Sequence, residues 1–377
     1  MDNIIYLDNS STTMPCDKAI EYMTTCLKEN WGNPSSLHLL GMNAENTVTS
    51  ARECVAKSIS ANPNEIIFTS GGTEANNTAV MSALFRKNRG NRVITTAIEH
   101  HSVLECFKKL ENCGFEVIYL KPNRDGVISL EELENSLNSN TVLVSMMMVN
   151  NEVGSVEPIE QAVKLTKAKA PNAFFHCDAV QGYGKLPINV KKLGVDMLTA
   201  SGHKVHAPKG IGFLYLNSKT HIPPFIVGGG QEKGMRSGTE SVPLIASLQG
   251  AVEDFPNLET ALKTTRSLFL YAKKRLGELP QVTFNSGDNG LPYVLNISVN
   301  GYRSETLLHF LEMKDIYVSS GSACSKGNTS YVLKEMGVNP KSIDSALRLS
   351  FSKHTTEKEI DVLYHALKEA TEKLRKA

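Results

Sequence analysis

From about Ile66 to Leu216 the chain alternates short, strongly apolar runs with longer stretches that are apolar at helical spacing. The runs read EIIFTS, RVITTA, FEVIYL, TVLVSMMMV, AFFHCD, DMLTAS and IGFLYL. Helices are predicted from about Thr73, near Ser102 and after Pro158. Apolar runs of strand length separated by amphipathic stretches predict an α/β fold, with a buried, mainly parallel sheet covered by helices on both faces. On such sheets ligands bind at the carboxyl ends of the strands, so the polar residues just after each run are the ones to read for chemistry. From Gly228 the texture changes. A glycine-rich polar stretch, GGGQEKGMRSGTESVP, is followed by a long helical stretch from about Leu244 to Leu279. Then come YVLNISV, a helix near Glu305, DIYVSS, a Gly/Ser-rich loop, a short helix ending at Gly337, ALRLSF and a final helix from Glu357. This mixture predicts a smaller α+β domain.

Composition narrows the function classes. At 377 residues, with 41% apolar and 21% charged residues, the chain is ordinary for a globular protein with room for two domains. A formal net charge of +1 gives no general attraction to nucleic acid or to a membrane surface. No apolar run approaches the ~20 residues that span a bilayer. The start, MDNIIYLDNSSTT, does not read as a signal peptide. The seven cysteines are scattered, with no Cys-x-x-Cys pair. That pattern predicts neither a disulfide framework nor a zinc site, and it suits a reducing cytoplasm.

The candidate chemistry lies in five strand-end loops. GGTEANN follows the first run, and its glycines open a helix whose free N–H groups suit an anion; the alternative is a plain helix cap. EHHSVLE puts His100 or His101 at a strand end, and NNEVG puts two amides and an acid at another. Asp178, in HCDAVQGYGK, ends a very apolar strand, where a carboxylate is costly unless paired. Lys204 lies in SGHKVHAPKG. A solvated surface lysine is the bland alternative, and His203-x-x-His206 lacks a nearby acid or cysteine to complete a metal set. A phosphate cradle, a buried acid, an aromatic face and a lysine together suit pyridoxal 5′-phosphate: the lysine takes its aldehyde and the acid keeps its ring nitrogen protonated.

These stretches, with YLDNSSTT, GNPSSLH, GGGQE, RSGTE, SSGSAC and LRLSF, match in order and approximate spacing those of one family, and nearly the whole chain takes part. The sequence resembles the NifS/IscS-type cysteine desulfurases, pyridoxal-phosphate enzymes of the class V aminotransferase group. The resemblance implies a fold-type-I enzyme with a mainly parallel seven-stranded sheet. It implies a large domain over 15–250 and a small α+β domain over 251–377, joined by the N-terminal segment 1–14.

Carried over by position, it makes Lys204 the Schiff-base lysine and proton shuttle, Asp178 the partner of the ring nitrogen and Gln181 that of the phenolic oxygen. His100 would stack on the ring, with His101 as its rival. Gly72, Thr73, Ser201 and His203 would hold the phosphate, and Thr239 would reach the phosphate of a partner subunit in a homodimer. Asn151 and Arg348 would grip the substrate carboxylate. Cys324 would be the nucleophile that takes sulfur from L-cysteine as a persulfide and passes it to an acceptor protein, in iron–sulfur assembly or tRNA thiolation. The other six cysteines read as structural. The loop after Cys324 looks shorter than in long-loop members, and Ser10, Ser11, Ala207 and Ser241 depart from the commonest residues. Alternatives on the same scaffold are a selenocysteine lyase, an aminotransferase, or an inactive docking scaffold for sulfur carriers.

Overall fold

The apolar runs all become strands of one seven-stranded sheet in the computed structural model, which describes residues 4–320 and 329–376. The spatial order is Ile66–Thr69, Gly212–Leu216, Met197–Ser201, Phe174–Asp178, Thr141–Met147, Arg92–Thr96, Glu116–Leu120. Every pair is parallel except the two made by Gly212–Leu216, which runs antiparallel to both neighbours. Successive residues face opposite sides. Ile67, Leu143 and Leu214 enter one apolar cluster, and Phe68, Val144 and Phe213 the other. Every residue of Ile66–Thr69, Thr141–Met147 and Met197–Ser201 is buried, so these runs show no polar alternation. The expected helices form at Gly72–Met81, His101–Asn112 and Ile159–Lys169.

The long helical stretch expected from about Leu244 to Leu279 is instead two helices, Val242–Glu253 and Leu258–Leu276. Pro256 accounts for the break, because its ring disfavours helical backbone at the residue before it. Asn257 then caps the second helix by accepting from the Thr260 N–H at 3.1 Å.

A second sheet holds Ala346–Ser350, Val294–Val299 and Val282–Phe284, all antiparallel. Its apolar cluster gathers side chains from Leu268 to Ala370 and takes Leu7 from the N-terminus. Val332, Leu333 and Met336 join the cluster of the main sheet, so the C-terminal part is packed on the large one. The N-terminal strand Ile5–Tyr6 pairs in parallel with Ile316–Tyr317, and the Ser10 N–H donates to Ser350 Oγ at 2.8 Å. Beyond it, the Thr13 N–H donates to the His203 carbonyl at 2.9 Å. Residues 5–13 are thereby stretched across the carboxyl end of the main sheet. Among the described residues no helix is long and apolar enough to cross a membrane, and no His/Cys/Asp/Glu group could hold a metal ion.

Candidate active site

Two adjacent strands end on the candidate chemistry. Phe174–Asp178 and Met197–Ser201 run in parallel with Asp178 opposite Thr199. Asp178 is the last residue of its strand and is buried. Its Oδ1 accepts from the Val180 N–H at 2.9 Å, and its Oδ2 accepts from Asn76 Nδ2 at 2.7 Å. A carboxylate this deep is tolerable because both oxygens are paired. Lys204 ends the short turn Gly202–Lys204 that follows the other strand. Its Nζ donates to the carbonyls of Ser10 and Ser11 at 2.6 and 2.7 Å.

The helix Gly72–Met81 opens onto the same place. A Cβ at Gly72 would lie 2.9 Å from Val180 Cγ2, and one at Gly212 would lie 2.8 Å from the Gly71 Cα. Side chains at either position would therefore push this helix start away from the strand ends.

These elements enclose a cavity of about 230 Å³. Gly72, Thr73, His100, Asn151, Asp178, Gln181, Ser201, His203, Lys204 and Arg348 all line it. Thr239 does not; it is exposed, in the glycine-rich stretch that Arg236 ties to Glu74 at 2.9 Å and Glu232 ties to Arg52 at 2.7 Å. Cys324 lies outside the described residues. His101 turns away from the cavity lining, its ring 4.9 Å from that of Tyr331. Ser10 and Ser11, which stood out in the sequence only as departures, and Asn76 and Ser102, to which it gave no role, also line the cavity. Asn76 and Ser102 stood inside quoted motifs, but nothing local marks a second helix residue as facing a cavity.

Burial governs the electrostatics. It lowers the affinity of His100 for a second proton, an effect that Asp178 opposes and Lys204 reinforces. His203 is pushed down to about 4, by burial first and then by Lys204; its Nδ1 lies 3.2 Å from Thr12 Oγ1. Lys185, buried behind the cavity, is pushed down to about 7 by burial, with Lys204 and Arg348 adding to it. Its Nζ donates to Gln181 Oε1 at 3.2 Å, and Gln181 Nε2 donates to the Ser10 carbonyl at 3.0 Å. Burial raises the thiols of Cys106, to about 11, and of Cys177, so both stay protonated and unreactive near neutral pH.

The lining suits pyridoxal phosphate on its own chemistry. Asn76 Oδ1, Asn151 Oδ1 and Arg348 Nε are buried without a hydrogen-bond partner among the described residues, and all three residues line the cavity. Buried polar atoms of this kind are normally satisfied. A helix start, an acid and an amine around one small space are complementary to a phosphate, a protonated ring nitrogen and an aldehyde.

Comparison with known proteins agrees. Residues 5–363 match the family described as aminotransferase class-V. A cysteine desulfurase of Trichormus azollae is 42% identical over 379 residues, covering 99% of this chain and 94% of that one. A solved NifS-like protein superposes with a TM-score of 0.94 at 38% identity, covering 98% of this chain and 100% of that one. A structure described as SspA in complex with cysteine superposes with a TM-score of 0.83 at 35% identity, covering 93% and 100%.

Proposed function

The chain belongs to the class-V aminotransferases and, within them, to the NifS/IscS-type cysteine desulfurases, and on that premise we propose which of its residues carry the reaction. It is a pyridoxal-phosphate-dependent enzyme that takes sulfur from cysteine. The observation that carries the residue assignment is the convergence of Asp178 and Lys204, from the ends of two paired strands, on one cavity with a helix start and Arg348 on its wall.

When bound, the cofactor draws electrons from the substrate's α-carbon. Gly72, Thr73, Ser201 and His203 would hold its phosphate; the helix start supplies N–H donors, and His203, neutral at physiological pH, would hydrogen-bond without competing charge. Asp178 would pair with the ring nitrogen, and the Gln181 amide, steadied by Lys185, would hydrogen-bond the phenolic oxygen. His100, on the cavity wall, would stack on the ring. The Lys204 amine would hold the cofactor's aldehyde and carry the α-proton, and the carbonyls of Ser10 and Ser11 direct its Nζ. Asn151 and Arg348 hold the substrate carboxylate, for which a guanidinium fork is better shaped than an ammonium. The Cys324 thiolate attacks the substrate sulfur. The sulfur–sulfur bond forms as the bond to the β-carbon breaks, its electron pair stays with carbon, and alanine leaves after protonation.

The persulfide passes to an acceptor protein, in iron–sulfur assembly or tRNA thiolation. We place the enzyme in the cytoplasm, where its scattered thiols remain reduced, and read it as a homodimer in which Thr239 reaches the partner's phosphate. Exposed Trp31, Leu37, Leu39 and Val227 supply apolar surface for such an interface.

The test is to add L-cysteine to the holoenzyme and follow alanine and peptide-mapped persulfide. Persulfide is expected on the Cys324 peptide before any acceptor is supplied, and Cys324→Ala is expected to keep the cofactor's absorption while losing that persulfide. Persulfide accumulating on Cys106 or Cys177 at the wild-type rate in Cys324→Ala would overturn the assignment of the nucleophile.

A further inference from the structure

We propose that Asn76 is a positioning residue that ties Asp178 to the Ser102–His100 pair and thereby fixes which ring nitrogen of His100 carries the proton; this rests on the placement of Asp178 and His100 around the cofactor given above. Asn76 sits one turn into the helix Gly72–Met81 and is 1% exposed. Its Nδ2 donates to Asp178 Oδ2 at 2.7 Å and to Ser102 Oγ at 2.9 Å. Both amide hydrogens are thus used inside the cavity wall. The opposite orientation of the amide would point its oxygen at a carboxylate. It would also leave two N–H groups where Oδ1 now lies without a partner among the described residues. The amide orientation therefore follows from its surroundings.

The next links are equally directional. The Ser102 main-chain N–H, which can only donate, points at His100 Nδ1 over 3.2 Å. The Ser102 hydroxyl lies 2.8 Å from the same nitrogen. Because Nδ1 already accepts from the main-chain N–H, the hydroxyl can only donate to it, which leaves the hydroxyl oxygen to accept from Asn76. Nδ1 accepts twice and carries no proton, which leaves the ring proton on Nε2. Every hydrogen in the chain Asp178–Asn76–Ser102–His100 then has one direction. His100 is held as a neutral ring that can donate from Nε2 but cannot become a cation without breaking the contact to the Ser102 N–H. Among the described residues, the charged and titratable groups that act on it are Asp178, Lys204 and His101. A locked neutral ring adds no positive charge beside Lys204, and Asp178 gains a second donor, on its Oδ2. Burial of the imidazole acts in the same direction.

The experiment is a pH titration of ¹⁵N-histidine-labelled protein, with and without pyridoxal phosphate, in long-range ¹H–¹⁵N spectra. The wild type is expected to show His100 as the Nε2–H tautomer, uncharged across the neutral range. Asn76→Ala and Ser102→Ala are each expected to raise the His100 midpoint by roughly half a pH unit or more. The double variant is expected to add little to either, since both act through one hydroxyl. Should Asn76→Ala prove unstable, Asn76→Ser, which keeps a single donor, is expected to move His100 in the same direction. Ser102→Ala moving His100 while Asn76→Ala or Asn76→Ser leaves it unmoved would overturn the proposal, as would an Nδ1–H tautomer in the wild type. A His100 signal that ignores loading with the cofactor would instead overturn the placement of His100 at the ring, whatever the variants do.

Discussion

The Arg348 guanidinium is ion-paired with Asp8, its Nη2 2.9 Å from Asp8 Oδ1. Asp8 lies in the N-terminal stretch that crosses the sheet, and Arg348 in the strand Ala346–Ser350 beside it. Arg348 is 2% exposed, and it also donates to Ser11 Oγ at 2.5 Å and to the Asn151 carbonyl at 3.0 Å. Its plane is therefore fixed from two sides before a substrate arrives, and its Nε hydrogen has no partner among the described residues.

Arg348→Lys replaces this fixed fork by a single nitrogen that cannot reach Asp8, Asn151 and a carboxylate together. KM for L-cysteine is expected to rise about tenfold or more, equivalent to about 1.4 kcal/mol of lost binding. Turnover is expected to change less. Steady-state alanine formation reads both, and an unchanged KM moves the carboxylate site elsewhere.

Borohydride treatment of the holoenzyme is expected to bleach its visible absorption and fix the pyridoxyl group on Lys204. Peptide mass mapping decides this. Lys185 is the informative rival, because its amine is also buried and is pushed down to about 7. Finding the label there would transfer the cofactor to the other side of Gln181.

Asp178→Asn keeps the shape of the side chain and leaves an oxygen able to accept from either Val180 or Asn76, so the fold is expected to survive. It removes the negative charge that faces the ring nitrogen. Turnover is expected to fall by on the order of 100-fold or more, with circular dichroism unchanged. Wild-type turnover in the folded variant would rule out this role for Asp178.

Glu157 gives a pH-dependent stability prediction. It is 4% exposed and accepts from the Ile128 N–H at 2.9 Å, yet burial pushes it up to about 7. Between about pH 4.5 and 7 the folded protein keeps a proton that the unfolded chain has released, so stability falls as pH rises through that window. Glu157→Gln cannot ionise and keeps an acceptor for Ile128. In urea unfolding it is expected to gain up to about 3 kcal/mol over the wild type at pH 8 and close to nothing below the window. Equal differences at both pH values would show that Glu157 ionises normally in the fold.

The sequence by itself determined the parts that local pattern controls. Apolar content located every strand of the main sheet; interior strands such as Thr141–Met147 are buried on both faces and so are apolar at successive positions, while the edge strand Glu116–Leu120 is only partly buried. Gly72, Asp178 and Lys204 were legible because each lies at or just after the end of such a run, and a parallel sheet collects its strand ends on one edge. The break at Asp254–Asn257 was hidden by apolar content on both sides of Pro256, although proline carries the physical signal. Only the tertiary structure decided the strand order, the reversal of Gly212–Leu216, and which distant residues complete the cavity. Ser10 and Lys204 meet across 194 positions because Ile5–Tyr6 pairs with Ile316–Tyr317 and pulls the intervening chain over the strand ends. Asn76 meets Asp178 across 102 positions because their elements pack side by side in the folded sheet layer. Periodicity tells a residue which face to bury, but it carries no information about which neighbour will be buried against it.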